Sequence, residues 1–343
     1  MGTTAQRQRV LGRLLVTGGT GFVGRAVVGR VLPNARSVTV LTRNPEWARS
    51  RFSDYDVHLL AGDMTRPESL FDACADIDTV VHCAGHAHAF GMPARESDRL
   101  HFATTVEGTR ALLAAATRAE VKCVVFISSV KAMGEWSPEC LDEDAEPRPS
   151  TPYGKAKLEA EELVLKWGTD PGRHAAVLRL PLVYGVESAG NIPRMIDGID
   201  RGWFPPLPEV HNKRSMVHVE DVAEAVLCVA VDPRAAGHLY LVTDGRPYST
   251  AEICDEIRRA LGRRRPRWTV PITALRLGAR AGDVLGRLRG RPLPFDSQVL
   301  DKLLGSAWYS SRRIRDELGF EPRHTLFDTL PAMVAGRTGG RHG

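Results

Sequence analysis

The sequence predicts an α/β fold: a doubly wound parallel sheet with a smaller C-terminal region laid over one edge. Three observations carry this expectation. Short apolar runs alternate with helical patterns through the first half of the chain, as parallel βαβ crossovers require. A glycine-rich turn separates the first apolar run from the first helical pattern. After about Tyr184 the alternation gives way to Gly- and Pro-rich connections that run to Pro208. With 343 residues, 43% of them hydrophobic, the chain is long enough to bury such a sheet on both faces, and its composition excludes a wholly disordered polymer.

In chain order, the first strand is Arg13–Thr17, followed by a helix from Val23. Further strands are expected at Ser37–Thr42, His58–Ala61, Thr79–Cys83, Val121–Ser128 and Ala175–Leu180. Thr104–Ala119 forms a long Ala-rich helix, and Pro152–Trp167 a second with Glu159, Glu161, Glu162 and Lys166 on its polar side. Beyond the Gly/Pro connections, Ser215–Val219 is strand-like and a helix starts at Glu220. The Gly/Arg tail from Gly336 to Gly343 is expected to be disordered.

Charge and cysteine usage narrow the function classes. Lys+Arg 46 against Asp+Glu 41 leaves a net charge of +5, with much of the excess in Arg263-Arg264-Arg265-Pro266-Arg267 and between Arg276 and Arg291. No nucleic-acid module accompanies these runs, so no nucleic-acid partner is expected. The six cysteines are scattered without a CxxC pair, which favours reduced structural thiols and no metal site. His82, His86, His88 and His101 lack carboxylate or cysteine partners at ligand spacing and read as packing or loop residues. Met1 to Arg9 is polar and no run approaches a membrane span, so a cytoplasmic location without a transmembrane segment is expected. Pro271 to Gly290 pairs apolar Leu275, Leu277, Ala281, Leu285 and Leu288 with Arg276, Arg280, Arg287 and Arg289. It reads either as a surface helix over the C-terminal region or as a peripheral membrane contact.

The chemistry starts at the first turn. Gly18-Gly19-Thr20-Gly21-Phe22-Val23-Gly24 follows a buried strand and opens a helix, the context in which three spaced glycines bring backbone N–H groups and a helix N-terminus to a pyrophosphate. Residues 1–184 are therefore expected to be a Rossmann-type NAD(P)-binding domain, to which 215–245 returns, and 185–335 to be mainly a substrate-binding region. The second strand ends Leu41-Thr42-Arg43-Asn44 with no acid to accept from a ribose 2′-hydroxyl. That tilts the cofactor toward NADP(H) through Arg43, although an arginine stacked on adenine would tolerate NAD as well. Asp63 and Met64 follow the third strand at the adenine. Cys83-Ala84-Gly85 follow the fourth, where small residues admit the cofactor.

Tyr153 and Lys157 stand at i and i+4 on one helix face, and Ser129 ends the strand before that helix. A free phenol titrates near ~10, so a phenolate at neutral pH needs roughly 4 kcal/mol of differential stabilisation. Lys157 and a positive nicotinamide ring can supply it, while Ser129 holds the substrate oxygen whose proton Tyr153 removes or returns.

Together with Val81-His82-Cys83-Ala84-Gly85, Glu107-Gly108-Thr109, Ile127-Ser128-Ser129, Leu178-Arg179-Leu180-Pro181-Leu182-Val183-Tyr184-Gly185 and Arg214-Ser215-Met216-Val217-His218-Val219-Glu220-Asp221, these features resemble the extended short-chain dehydrogenase/reductases, also called the NAD-dependent epimerase/dehydratase family. The resemblance spans almost the whole chain. It implies that Ser129, Tyr153 and Lys157 are catalytic, that Pro181 and Val183 flank the nicotinamide, that Asn191 and Arg214 contact a nucleotide diphosphate, and that the two long helices pair in a homodimer. Two departures stand out. Thr105 replaces the Asn usual before Val-x-Gly-Thr, and Val130-Lys131 follow Ser129 where sugar 4,6-dehydratases carry an acid.

The second half resembles bacterial enzymes of UDP-hexoses and their N-acetyl forms, notably in Ser129-Val130-Lys131-Ala132-Met133-Gly134-Glu135 and Asn212-Lys213-Arg214-Ser215. The expected activity is redox chemistry at sugar C4. A 4-epimerase retains its cofactor, whereas an NADPH-dependent 4-keto-sugar reductase exchanges it; Arg43 leans to the second and the overall resemblance to the first. A 3β-hydroxysteroid-type dehydrogenase would use the same catalytic set but has no need of Arg214 and Asn191. A non-catalytic dinucleotide-binding protein has no need of the Tyr/Lys pair.

Overall fold

Aliphatic and β-branched runs form nine strands among the described residues: β1 Arg13–Thr17, β2 Ser37–Thr42, β3 His58–Ala61, β4 Thr79–His82, β5 Cys123–Ser129, β6 His174–Leu180, β7 Leu182–Tyr184, β8 Met216–His218 and β9 His238–Leu241. The structure is a computed structural model that describes residues 11–85, 94–289, 293 and 295–338. His86, His88, the chain start through Arg9, Gly290 and tail residues 339–343 lie outside the described residues. Seven strands join in one sheet, ordered β3-β2-β1-β4-β5-β6-β9, and every pairing is parallel. β7 and β8 form a separate parallel pair.

Alternation along the strands feeds two cores. Leu14, Val16, Val38, Val40, Val81, Val125, Ile127, Ala176 and Leu178 face one side, under α1 Phe22–Val31 and, later in the chain, the helix Val219–Val231. Leu15, Leu41, Val80, Val124, Phe126, Ala175 and Val177 face the other. The short helix α2 Pro45–Arg49 follows β2, and the second face is covered by α3 Pro67–Cys74, α5 Gly108–Arg118 and α6 Pro152–Trp167, with α4 Ala94–His101 leading into α5. Inward and outward side chains both meet helices, so the strand centres are largely apolar on both faces, as a buried parallel sheet demands.

Between α4 and α5 the chain makes a π-helical turn at Phe102–Glu107, so the continuous helix expected over Thr104–Ala119 is interrupted. Thr109 Oγ1 donates to the Thr105 carbonyl inside this turn, and Gly108 lies against Met64, where an added Cβ would sit 3.1 Å from the Met64 carbonyl oxygen. Helix α6 matches its expected span; Thr151 caps it by accepting from Gly154 N at 3.2 Å, with Pro152 in the first turn.

The C-terminal region has its own core, built by α7 Asn191–Asp200, α9 Thr250–Ala260, α10 Ile272–Arg289, α11 Ser297–Leu304 and α13 Leu326–Thr338 around Tyr184, Ile196, Tyr248, Ile257 and Leu330. α8 Val219–Val231 packs on α1, and β9 completes the sheet beside β6. α12 Arg312–Leu318 lies under β9. The disordered tail expected from Gly336 is corrected at its start: 336–338 continue α13, and Arg337 pairs with Asp197 of α7, its Nε 3.0 Å from Oδ1.

Candidate functional site

The strand order reverses at β1. The chain goes outward through β2 and β3 and returns to β4 on β1's other side, opening a crevice at the carboxyl ends of β1 and β4. The glycine turn lies there. Gly18 adopts φ +67°, and an added Cβ would stand 2.6 Å from Ala84 N, so the turn presses against the end of β4. Gly24 is packed as tightly against the Gly18 carbonyl. Gly21 differs: at φ −76° it is exposed, and a Cβ there would meet only the Gly18 oxygen at 3.3 Å. The protein itself does not require glycine at that point, whereas a bound pyrophosphate would. No side chain caps α1 and no acid occupies its first turn, which leaves the helix N-terminus to an anion. The turn therefore fits a dinucleotide, with Thr20, Phe22 and Val23 beside the glycines. Phe22 also meets the segment after β7: a Cβ on Gly185 would lie 3.0 Å from its ring.

At the far end of the crevice, Arg43 is exposed directly after β2, while Asn44 turns back to cap α2. Asp63 accepts from Thr65 N and Thr65 Oγ1, both at 2.9 Å. Burial pushes its carboxyl up, but those two bonds together with Arg43 and Arg66 outweigh burial and hold it below its ordinary value. Met64 is buried under α5. Arg43 and Asp63 thus share one end of the crevice, and Cys83, Ala84 and Gly85 line its floor.

Ser129, Tyr153 and Lys157 converge at the carboxyl end of β5. Tyr153 and Ser129 share a side-chain hydrogen bond, which lowers the phenol's pKa, but burial dominates and the net shift is upward. Lys157 is almost completely buried and its Nζ donates to the Ile127 carbonyl at 2.8 Å. A Cβ on Gly85 would lie 3.3 Å from that Nζ, so the ammonium borders the crevice floor. Burial lowers the Lys157 pKa to about 8, against opposing contributions from Glu161 and Cys83. The protein alone therefore does not depress Tyr153; the charge it can bring to bear is that of Lys157.

Behind this set lie groups to which the sequence assigns no role in the site: Glu161 is expected on a polar helix face, and His82 and His101 as packing or loop residues. Glu161, expected on the polar side of α6, is instead buried one turn beyond Lys157, where it accepts from Arg179 of β6 at 3.0, 3.1 and 2.6 Å and from Ser128 Oγ. His82 bridges Thr17 Oγ1 of β1 at 2.6 Å and Thr109 Oγ1 of α5 at 3.0 Å, and burial holds its pKa down at about 3. His101 packs edge-on against Tyr153 with ring centroids 5.3 Å apart. Thr105 Oγ1, in the π turn, is buried without a hydrogen-bond partner, and a Cβ on Gly85 would lie 4.0 Å from it. The spacing of Glu161 four residues after Lys157 was the signal available for the first of these.

Pro181 and Val183 follow β6, Pro181 buried and Val183 half-buried. Asn191 is exposed at the first position of α7, and Arg214 lies at the crossing of short bridges to Tyr248 and Ala307. Arg214 donates to the Lys302 carbonyl at 2.9 Å and the Gly305 carbonyl at 3.2 Å and stands 5.7 Å from the Trp136 ring. It forms no ion pair with a carboxylate among the described residues, and no hydrogen bond joins it to Asn191. His218, Asp221 and His324 bring one potential metal-ligand atom each within 4.8 Å of the others. Asp221 is already engaged, accepting from Arg323 N at 3.0 Å and His324 N at 3.1 Å with His324 Nδ1 at 3.0 Å, so the cluster fastens the C-terminal segment to α8.

Known proteins resemble this chain over most of its length. The chain is 28% identical over 316 residues to a UDP-glucose 4-epimerase of Vibrio cholerae, covering 91% of this chain and 92% of that protein. It is 32% identical over 332 residues to a dTDP-glucose 4,6-dehydratase of Mycolicibacterium smegmatis, covering 92% and 90%. A solved structure of the Thermus thermophilus UDP-glucose 4-epimerase in complex with NAD shares the fold at a TM-score of 0.72, with 23% identity and coverage of 95% of this chain and 99% of the other. Residues 14–243, from β1 through the end of β9, match the family model for NAD-dependent epimerases and dehydratases, so the glycine turn, the buried Lys157 and the Tyr153–Ser129 contact belong to an enzyme of the NAD-dependent epimerase/dehydratase family.

Proposed function

We propose that this enzyme carries out NAD(P)-dependent redox chemistry at C4 of a UDP-linked hexose or N-acetylhexosamine, in the manner of a 4-epimerase. The observation that carries the reading is the Tyr153–Ser129 hydrogen bond set beside buried Lys157 at the crevice floor. Ser129 Oγ would hold the C4 oxygen while the Tyr153 hydroxyl takes its proton and later returns it. Lys157 would supply the positive field that the phenolate needs. Gly18, Gly21, Gly24 and the start of α1 would hold the pyrophosphate, with Pro181 and Val183 against the nicotinamide. The bound nicotinamide supplies hydride transfer. Arg214, which has no carboxylate partner among the described residues, and Asn191 would face the sugar diphosphate. In the same reading the protein is cytoplasmic and a homodimer, paired through α5 and α6.

A second reading, an NADPH-dependent 4-keto-sugar reductase, draws on Arg43: it stands exposed at the end of β2, where no acid meets a ribose 2′-hydroxyl. A dehydratase is disfavoured despite the Mycolicibacterium relative, because Val130 and Lys131 follow Ser129 and the nearby Glu135 is paired to Lys131. The test is turnover of UDP-glucose, UDP-N-acetylglucosamine and a UDP-4-keto sugar, each with and without NAD(P)H. Hexose interconversion without net cofactor change supports the epimerase, NADPH consumption supports the reductase, and inactivity on all three overturns both. Tyr153→Phe should abolish turnover while cofactor fluorescence still reports binding; full activity in that variant refutes the assigned base.

A further inference from the structure

Helix α10 buries the wrong stripe for its sequence. Its buried residues are Leu275, Ala279, Gly282 and Gly286, a face of mainly small side chains that lets the helix lie against 295–296. Its larger apolar residues point elsewhere. Leu277, Ala281, Val284 and Leu288 recur at spacings of four, three and four, so they share one helical face, and that face lies about 160° around the axis from the buried stripe. Leu277 is 66% exposed, Val284 56% and Leu288 79%, with Leu285 at 46% on the flank. A stripe of this kind is not the remnant of a core face; the core has its own stripe.

On the other flank run Arg276, Arg280 and Arg287. Arg276, Arg280 and Arg289 make no ion pair among the described residues. Asp283, the only acid on the helix, accepts from Ser297 N at 3.1 Å and Ser297 Oγ at 2.6 Å and lies near Arg287, so it is already engaged within its own chain. The approach to the helix adds Arg264 and Arg267, which likewise make no ion pair among the described residues, while Arg265 is paired to Asp255 at 3.2 Å, and Trp268 is 63% exposed. Val270 N donates to the Pro206 carbonyl at 2.9 Å, which ties this approach to the loop carrying Trp203, itself 61% exposed. Exposed leucines and unpaired arginines on one helix, with exposed tryptophans in the segments beside it, are the composition of an element that lies in a lipid headgroup layer.

We propose that α10 is a membrane-docking helix that seats the enzyme on an anionic lipid surface. Leu277, Val284 and Leu288 enter the acyl boundary, and Arg276, Arg280 and Arg289 reach lipid phosphates. Self-association through the same stripe is the weaker fit. An antiparallel pair would set the two arginine rows against each other with no free acid between them.

The test is flotation of the full chain with vesicles of phosphatidylcholine alone and of phosphatidylcholine containing one-third phosphatidylglycerol, at low and high salt. Flotation is expected only with the anionic vesicles and should weaken with salt. Arg276→Gln/Arg280→Gln should weaken it about 25-fold, at about fivefold per arginine. Leu277→Gln/Val284→Gln/Leu288→Gln should abolish it with melting temperature and turnover of a water-soluble substrate unchanged, because all three side chains are exposed. Absence of flotation with anionic vesicles overturns the proposal, as does flotation indifferent to either variant. Conversion of a larger oligomer to a smaller one by the leucine variant, without lipid binding by the parent, reassigns the stripe to a second copy and likewise overturns it.

Discussion

Lys157→Met isolates what burial does to the group on which the proposed chemistry depends. Burial lowers the Lys157 pKa from 10.5 to about 8 in the folded chain. Between these values the unfolded chain holds a proton that the folded chain has released, so stability rises with pH through that window and the penalty is fully present below pH 8. The full difference corresponds to roughly 3 kcal/mol. Methionine keeps the length of the side chain and removes the charge, at the loss of the hydrogen bond to the Ile127 carbonyl, worth about 1 kcal/mol. The variant should therefore be more stable than the parent by about 2 kcal/mol at pH 7 and by about 1 kcal/mol at pH 9. Urea melts of the cofactor-free proteins at both pH values measure it, and comparison with the parent cancels the buried cysteines, which titrate in the opposite sense. An advantage that does not change with pH, or a variant less stable at pH 7, refutes the argument. The same titration predicts that kcat/KM of the parent falls above about pH 8, as free enzyme loses the charge next to Tyr153.

Gly21→Ala tests whether the first turn is a cradle or merely a turn: its φ and surroundings accept a methyl, so the melting temperature should hold while dinucleotide affinity falls about tenfold or more, read by fluorescence titration. Glu161→Gln leaves Arg179 buried without its counter-charge and should cost about 3–5 kcal/mol in denaturant melts, whereas Glu161→Leu/Arg179→Met together should recover most of it. Arg43→Ala should lower kcat/KM for NADPH about 10-fold or more and leave NADH nearly unchanged; equal losses with both would place Arg43 on the adenine instead.

What the sequence made legible follows from periodicity. Strand runs such as Val38–Leu41 and Val124–Ile127 are apolar on both faces because both faces meet helices, and their spacing announces the parallel sheet before any contact is known. The glycine turn and the Tyr153/Lys157 pair were legible for a related reason: their geometry is local, fixed within one turn or one helix face. Interactions between elements distant in sequence were not. The helix expected over Thr104–Ala119 begins as a π turn through Glu107, and its first α-helical residue, Gly108, lies against Met64, far away in the chain. Glu161 reads as one more surface glutamate on α6 until β6 brings Arg179 beneath it.

That misreading changes how the site is understood. Burial works against the charge of Lys157, and a neutral lysine offers Tyr153 nothing. Glu161 is the buried carboxylate that, with Cys83, acts against this by raising the Lys157 pKa, and Arg179 and Ser128 donate to it and hold it in place. His82, kept uncharged by burial between Thr17 and Thr109, adds no second positive charge beside it. The surroundings of Lys157 at the crevice floor thus draw on four elements, β4, β5, β6 and α6, of which the Tyr153/Lys157 motif contains only one. A chain with the motif intact but Glu161 or Arg179 replaced would keep its phenol and its lysine in place and lose either the carboxylate that raises the Lys157 pKa or the arginine that holds that carboxylate.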